Sequence, residues 1–213
     1  MQSKVFFILL LLSSSLFAQC LTENEKLKVQ LSLSEINEYY EDVPNYIQCQ
    51  QQNLNLEKLV CANSDYMLMF NYLSKVNIYA YENAVKYEVN HQEFNKKDMS
   101  HWGTTYNNEN INKYFCFDIK QATTDLMGGE SPYQFVKLGD KLYNVQKNEK
   151  DLVLTSRDGY KIYLNKNCEV LDSSKQSGEW YRQSDNFVVK IGNVKYNFTT
   201  LTPIEFENDT CSK

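Results

Sequence analysis

The apolar residues of this 213-residue chain change their spacing once, at Gly128 and Gly129. Ahead of that pair they recur every three or four positions, the period of a helix face. Behind it they gather in short β-branched and aromatic runs separated by turn signals. One element cannot satisfy both periods, so helices and strands must be segregated along the chain. The fold class this predicts is α+β, with an N-terminal helical module over 19–127 and an antiparallel β domain over 128–213.

In the front part, Thr22, Glu23, Asn24 and Glu25 have the form of a capping box, in which hydroxyl and carboxylate satisfy the open backbone donors of a helix start. Leu27, Leu31 and Ile36 then recur at near-helical intervals until Pro44 stops the pattern. A second helix is expected to begin at Asn63 or Ser64 and run to about Tyr87. Its apolar stripe is Tyr66, Met69, Phe70, Leu73, Val76, Tyr79 and Ala80. A third is expected over Phe94 to Trp102, ended by Gly103, and a last over Tyr114 to Met127, closed by Gly128 and Gly129.

In the back part, YQFVKL (133–138), LYNVQ (142–146), LVLTS (152–156) and YKIYL (160–164) read as strands. Phe187–Ile191 and Val194–Phe198 flank Gly192 and Asn193, the pattern of a hairpin with a two-residue turn. Six or seven such strands make a small antiparallel barrel or sandwich.

The first 18 residues have the physics of a signal peptide. Lys4 supplies the positive start, Val5 to Leu12 an apolar run too short to span a bilayer, and Ala18 a small residue before a cut, with a cut after Gln19 also open. A secreted or periplasmic product is therefore expected, with no stable membrane insertion. Gln19 is a poor neighbour for lipid processing, so anchoring at Cys20 is not expected. Export gives the six cysteines, Cys20, Cys49, Cys61, Cys116, Cys168 and Cys211, a reading as three disulfides. Six thiols allow 15 pairings, and spacing does not choose among them.

Charge is uneven: residues 19–127 carry a net −6 and residues 128–213 a net of zero. An acidic front disfavours nucleic acid and suits a cationic protein partner, chiefly through steering; it also simply keeps an exported protein soluble. No nucleophile elbow, phosphate-binding loop or zinc-protease motif is present, so no catalytic residue is assigned and an enzyme is not expected. The two histidines, His91 and His101, are not spaced to share a helix face, and no metal or other cofactor is implied. Asn197 and Asn208 fit the glycosylation acceptor pattern, which matters only in a eukaryotic source.

Two stretches resemble known families. Tyr46 to Cys49, then Glu57-Lys58-Leu59-Val60-Cys61, then Leu73 and Trp102, are similar to the N-terminal module of the lysozyme inhibitor LprI family over roughly residues 46 to 105. Phe70 departs from that pattern, which has an aspartate there. The arginine and cysteine that follow the family's tryptophan are missing, with Cys116 left to stand in for the thiol. The resemblance implies a disulfide-clamped helical module and carries no inhibitory residue. Gln176-Ser177-Gly178-Glu179-Trp180-Tyr181 resembles the S-G-x-x-Y loop of the MliC type of lysozyme inhibitor, a small β-barrel. That resemblance implies a partner-binding set of Ser177, Tyr181 and Lys190, with the serine and lysine meeting the catalytic carboxylates of a cationic c-type lysozyme. Against it stands an ordinary reading: Ser177 and Gly178 as a turn, Trp180 and Tyr181 as barrel packing, and Lys190 as a solvated strand residue. The alternative for the whole chain is an envelope or secreted interaction protein with no enzyme target.

Overall fold

The computed structural model describes residues 20–41, 43, 47, 49–50, 52, 54–106, 110–147, 151–183, 186–201 and 211. The expected signal segment, Pro44 and Asn208 lie outside them. Five helices come first: α1 (Glu23–Tyr40), α2 (Asn55–Cys61), α3 (Ser64–Val85), α4 (His91–Thr105) and α5 (Ile111–Met127). A single 3-10 turn, Gly128–Glu130, leads into eight strands: β1 (Gln134–Leu138), β2 (Lys141–Lys147), β3 (Asp151–Ser156), β4 (Lys161–Asn165), β5 (Glu169–Asp172), β6 (Ser177–Gln183), β7 (Asn186–Ile191) and β8 (Val194–Thr200).

Side chains set the helix boundaries. At α1 the Thr22 hydroxyl accepts the Glu25 N–H at 3.2 Å, and the Glu25 carboxylate accepts the Thr22 N–H at 2.8 Å, completing the expected capping box. Asn63 caps α3 through the N–H groups of Asp65 and Tyr66. Lys86, at φ 62°, takes the left-handed position that ends α3. Gly103 does not end α4, which continues to Thr105; it faces Leu54, whose side chain leaves no room for a Cβ.

The stripe expected on α3 is buried at Tyr66, Met69, Phe70, Leu73 and Val76, while Tyr79 lies on the surface. On α1 the expected stripe is corrected. Leu27 and Leu31 are 55% and 57% exposed, and the helix buries Glu25 and Val29 instead, with Leu33 and Ile36 partly covered. Those four positions share one face at helical spacing. The face is legible only if a buried glutamate counts as part of it, which its partner Lys120 makes possible.

Phe115 is the hub of the helical core. Its ring meets Tyr66, Trp102 and Tyr106 edge-on at 5.2, 6.1 and 5.4 Å and stacks on Phe70 at 6.3 Å. Edge and offset contacts at such distances are the favoured aromatic arrangements. Phe70 is therefore a core residue, in a site where a carboxylate would lack a polar partner.

The strands form a closed barrel in sequence order, each antiparallel to the next, with β8 returning to β1 through Val136 opposite Thr200. Closure removes both sheet edges, so the sandwich alternative is set aside. Alternating residues from every strand fill the interior, among them Val145, Leu154, Leu164, Val170, Trp180 and Phe187. The chain passes from helices to barrel at Gly128, but the packing does not divide there: Tyr133 and Phe135 belong to the helical core.

A buried polar cluster joins the two parts. Lys120 of α5, 1% exposed, holds Glu25 of α1 at 2.6 Å. Asn144 and Gln146 of β2 reach Lys120 and Glu25 at 3.4 and 3.2 Å. Burial pulls the Lys120 pKa down, and Glu25 opposes that pull. Nearer the surface Arg157, in the β3–β4 turn, grips Asp118 of α5 through two nitrogens at 2.6 and 2.7 Å and stacks over Tyr114.

Candidate functional site

In an up-and-down meander, alternate turns share one end of the barrel. The β1–β2, β3–β4, β5–β6 and β7–β8 turns lie together at one mouth, and the other three connections at the opposite end. The opposite end carries a crosslink and an indole hydrogen bond. Cys168 bonds Cys211, whose side chain is buried in the barrel core, and Trp180 donates its indole N–H to the Asn165 carbonyl at 2.8 Å. The first mouth is open, and of the three residues named from the MliC-type resemblance Ser177 and Lys190 lie in its half of the barrel and Tyr181 nearer the opposite end.

The stretch from Ser177 is strand β6 and not a loop. Its N–H and C=O groups are committed to β5 and β7. Gly178 permits this: a Cβ there would fall on the carbonyl oxygen of Lys190 in β7. Strand geometry then sends Ser177, Glu179 and Tyr181 to the same outer face. Lys190 stands directly opposite Glu179 on that face, and its ammonium holds the Glu179 carboxylate at 2.7 Å. That hydrogen bond keeps Lys190 above its ordinary pKa. The ammonium also lies 5.4 Å from the centre of the Tyr181 ring. Tyr181 and Lys190 are thus brought together, with Glu179 between them and Ser177 farther along the same face. The outer row continues as Glu169, Glu179, Lys190 and Lys195 across four strands, a ladder whose charges change sign midway.

Asp172 fixes the turn that launches β6. Its carboxylate accepts the N–H groups of Ser174 and Gln176, each at 2.8 Å, and the Tyr160 hydroxyl at 2.6 Å. The Tyr160 hydrogen bond, aided by the two backbone donors, holds Asp172 below the ordinary Asp value despite its burial. The sequence signal for this role is an Asp two residues before Ser174, the spacing at which a carboxylate caps its own turn.

Beside this face, the mouth opens into a cavity of about 660 Å³ between the turns and α5. Tyr143, Ile162 and Ile191 line it from the barrel, and Phe117 and Gln121 from α5. None of these positions stands out as a site residue in the sequence, because barrel closure and helix docking assemble them from four separate elements.

Two further bridges complete the oxidised set: Cys20 with Cys116 and Cys49 with Cys61. The second closes the segment quoted for the LprI-like resemblance onto the last residue of α2, a helix not expected from the sequence. Glu57 there accepts the Leu54 N–H at 2.9 Å, which starts the helix. Cys116 is partnered by Cys20. Among the described residues, no group of three or more His, Cys, Asp or Glu is placed to hold a metal ion. Asn197 is exposed on β8.

No protein-family model matches the chain, and neither a curated protein nor a solved structure matches it. The class of protein that the fold defines is a disulfide-braced helical module docked on an eight-stranded barrel.

Proposed function

We propose that the chain is an exported binding protein that docks a cationic protein partner by occlusion, with a c-type lysozyme as the first partner to test. The observation that carries this reading is the alignment of Ser177, Tyr181 and Lys190 on one outer face of strands β6 and β7. A hydroxyl and an ammonium held on a closed sheet are suited to carboxylates in a protected cleft, where charge-assisted hydrogen bonds are strong. The residues stand on strands β6 and β7, so contact is made by side chains projecting from strands and not by an inserted loop. The net −6 of residues 19–127 favours encounter with a cationic protein, and occlusion needs no turnover. Export is supported by three disulfides together with the apolar N-terminal run. Among the described residues, no helix is long and apolar enough to cross a membrane.

The test is inhibition of a c-type lysozyme by the mature protein and by the Ser177→Ala, Lys190→Ala double variant. Inhibition by the parent, lost in the variant, is the expected result; equal inhibition by both discards the face as the contact surface. The Lys190–Glu179 pair favours a second reading, an envelope interaction protein with no enzyme target, because a lysozyme carboxylate must displace Glu179 to reach the ammonium. A pull-down with lysozyme across rising salt separates the two. Capture that fades with ionic strength supports the lysozyme reading, and no capture at low salt supports the alternative.

A further inference from the structure

The open mouth can serve a second kind of ligand. Its volume, about 660 Å³, lies within the range of small-molecule sites, and barrel mouths are common places for them. The wall is mostly apolar and rich in rings: Phe117 on the helix side, and Tyr143, Tyr160 and Tyr196 on the barrel side. The three hydroxyls are not equivalent. Tyr160 donates to Asp172, whereas those of Tyr143 and Tyr196 make no hydrogen bond among the described residues. Both line the same cavity, where burial first, then the neighbouring Tyr196, raises the Tyr143 pKa.

The rim carries Asp140, Lys141, Arg157 and Asp158, two charges of each sign. Arg157 is committed to Asp118, and Asp158 lies 4.0 Å from Lys113. Asp140 and Lys141, adjacent and of opposite sign, leave the rim with no net charge to select an ion. Aromatic walls favour a flat apolar body, and two available phenols favour one polar edge that can share hydrogen bonds.

We propose that the barrel mouth is a binding site for a small uncharged aromatic compound, its ring held among Phe117, Tyr143 and Tyr196 and its polar edge on the hydroxyls of those two tyrosines. This inference is independent of the lysozyme reading, and either can fail alone.

The test titrates the full mature chain with the neutral fluorophore N-phenyl-1-naphthylamine, its anionic relative 8-anilinonaphthalene-1-sulfonate, and 2-naphthol as competitor. The expected result is saturable binding of one neutral probe per chain, displaced by 2-naphthol and insensitive to salt. Leu138→Trp, from the barrel wall, and Gln121→Trp, from α5, fill the cavity from opposite sides. Each should weaken the probe at least about tenfold while leaving the thermal midpoint in place, a loss of roughly 1.4 kcal/mol. Tyr196→Phe should weaken 2-naphthol more than the probe. In the unmodified protein, ring resonances perturbed by 2-naphthol should be those of Tyr143, Tyr160 and Tyr196, a readout that does not depend on any variant folding. Absence of saturable binding, unchanged binding in folded tryptophan variants, perturbation confined to other tyrosines, or a salt-dependent preference for the anionic probe would each overturn the site.

Discussion

The helical part and the barrel reach rigidity by different routes. Helices satisfy their backbone internally, so nothing in their hydrogen bonding ties one to the next; the tie comes from side chains and sulfur. Here the Phe115 cluster and two disulfides supply it, one of them joining residues 96 positions apart. Strands bond to their neighbours, so the closed ladder β1 to β8 is its own tie, and one disulfide fastens Cys211 to the turn between β4 and β5. Both parts nevertheless use the same small device to fix a turn, a carboxylate receiving three donors. In the helices it is Glu82, reached by the Tyr40 hydroxyl, the Val89 N–H and the His91 ring. Burial alone would raise its pKa; the donors outweigh burial and lower it. In the barrel it is Asp172. The lesson is that crosslinks matter most where the backbone leaves elements independent.

The largest effect that can break this contrast comes from the Cys20→Ala, Cys116→Ala pair. Opening a loop of that length should lower unfolding stability by about 4–5 kcal/mol in the chain-entropy picture. Hydrogen exchange should then quicken in α1, α3 and α5 while the strands stay protected. Removing the Cys168–Cys211 bridge should leave the ladder amides slow; a barrel that opens as readily as the helices would end the distinction. Next is Lys120→Met, which leaves Glu25 buried without its cation and should cost about 3–5 kcal/mol in chemical denaturation. Adding Glu25→Gln should recover much of that loss, since the penalty lies in the orphaned charge. The Cys49–Cys61 bridge, spanning 12 residues, should cost less to remove, about 3 kcal/mol, with exchange quickening confined to α2. The smallest effect is the pH dependence set by Asp172. Its folded pKa lies below the ordinary 3.8, so its contribution is complete above that value and fades as pH falls through the depressed one. Asp172→Asn should flatten the acid limb of a stability profile by lowering stability modestly at neutral pH, where the ionised carboxylate contributes in full, and leaving stability in strong acid nearly unchanged.

Legibility follows the range of the interaction that fixes each element. Thr22 with Glu25, the stripe on α3, and Gly192 with Asn193 are signals within a few residues, and each element they predict is present. Strands β5 and β6 escaped because little of them looks apolar: of the seven residues in β6 only Trp180 is buried. They are strands because their neighbours hold them, a tertiary cause. The face of α1 was misread for a related reason, since its buried Glu25 depends on Lys120, 95 residues away. The cavity was illegible because no one segment contributes enough of it. Ser177, Tyr181 and Lys190 came from a short motif, and the motif did not disclose that Glu179 already occupies the lysine.

The pairing of Cys20 with Cys116 also dictates an order of events. In a chain threaded through a membrane N-terminus first, Cys20 emerges with its partner still on the far side, and Cys49 and Cys61 arrive in between. An oxidant acting on thiols as they appear would join Cys20 to Cys49. Productive maturation therefore requires either a delay until residue 116 has crossed or a catalyst that reshuffles the early pair, so yield should track the isomerase capacity of the compartment and not its oxidising strength alone.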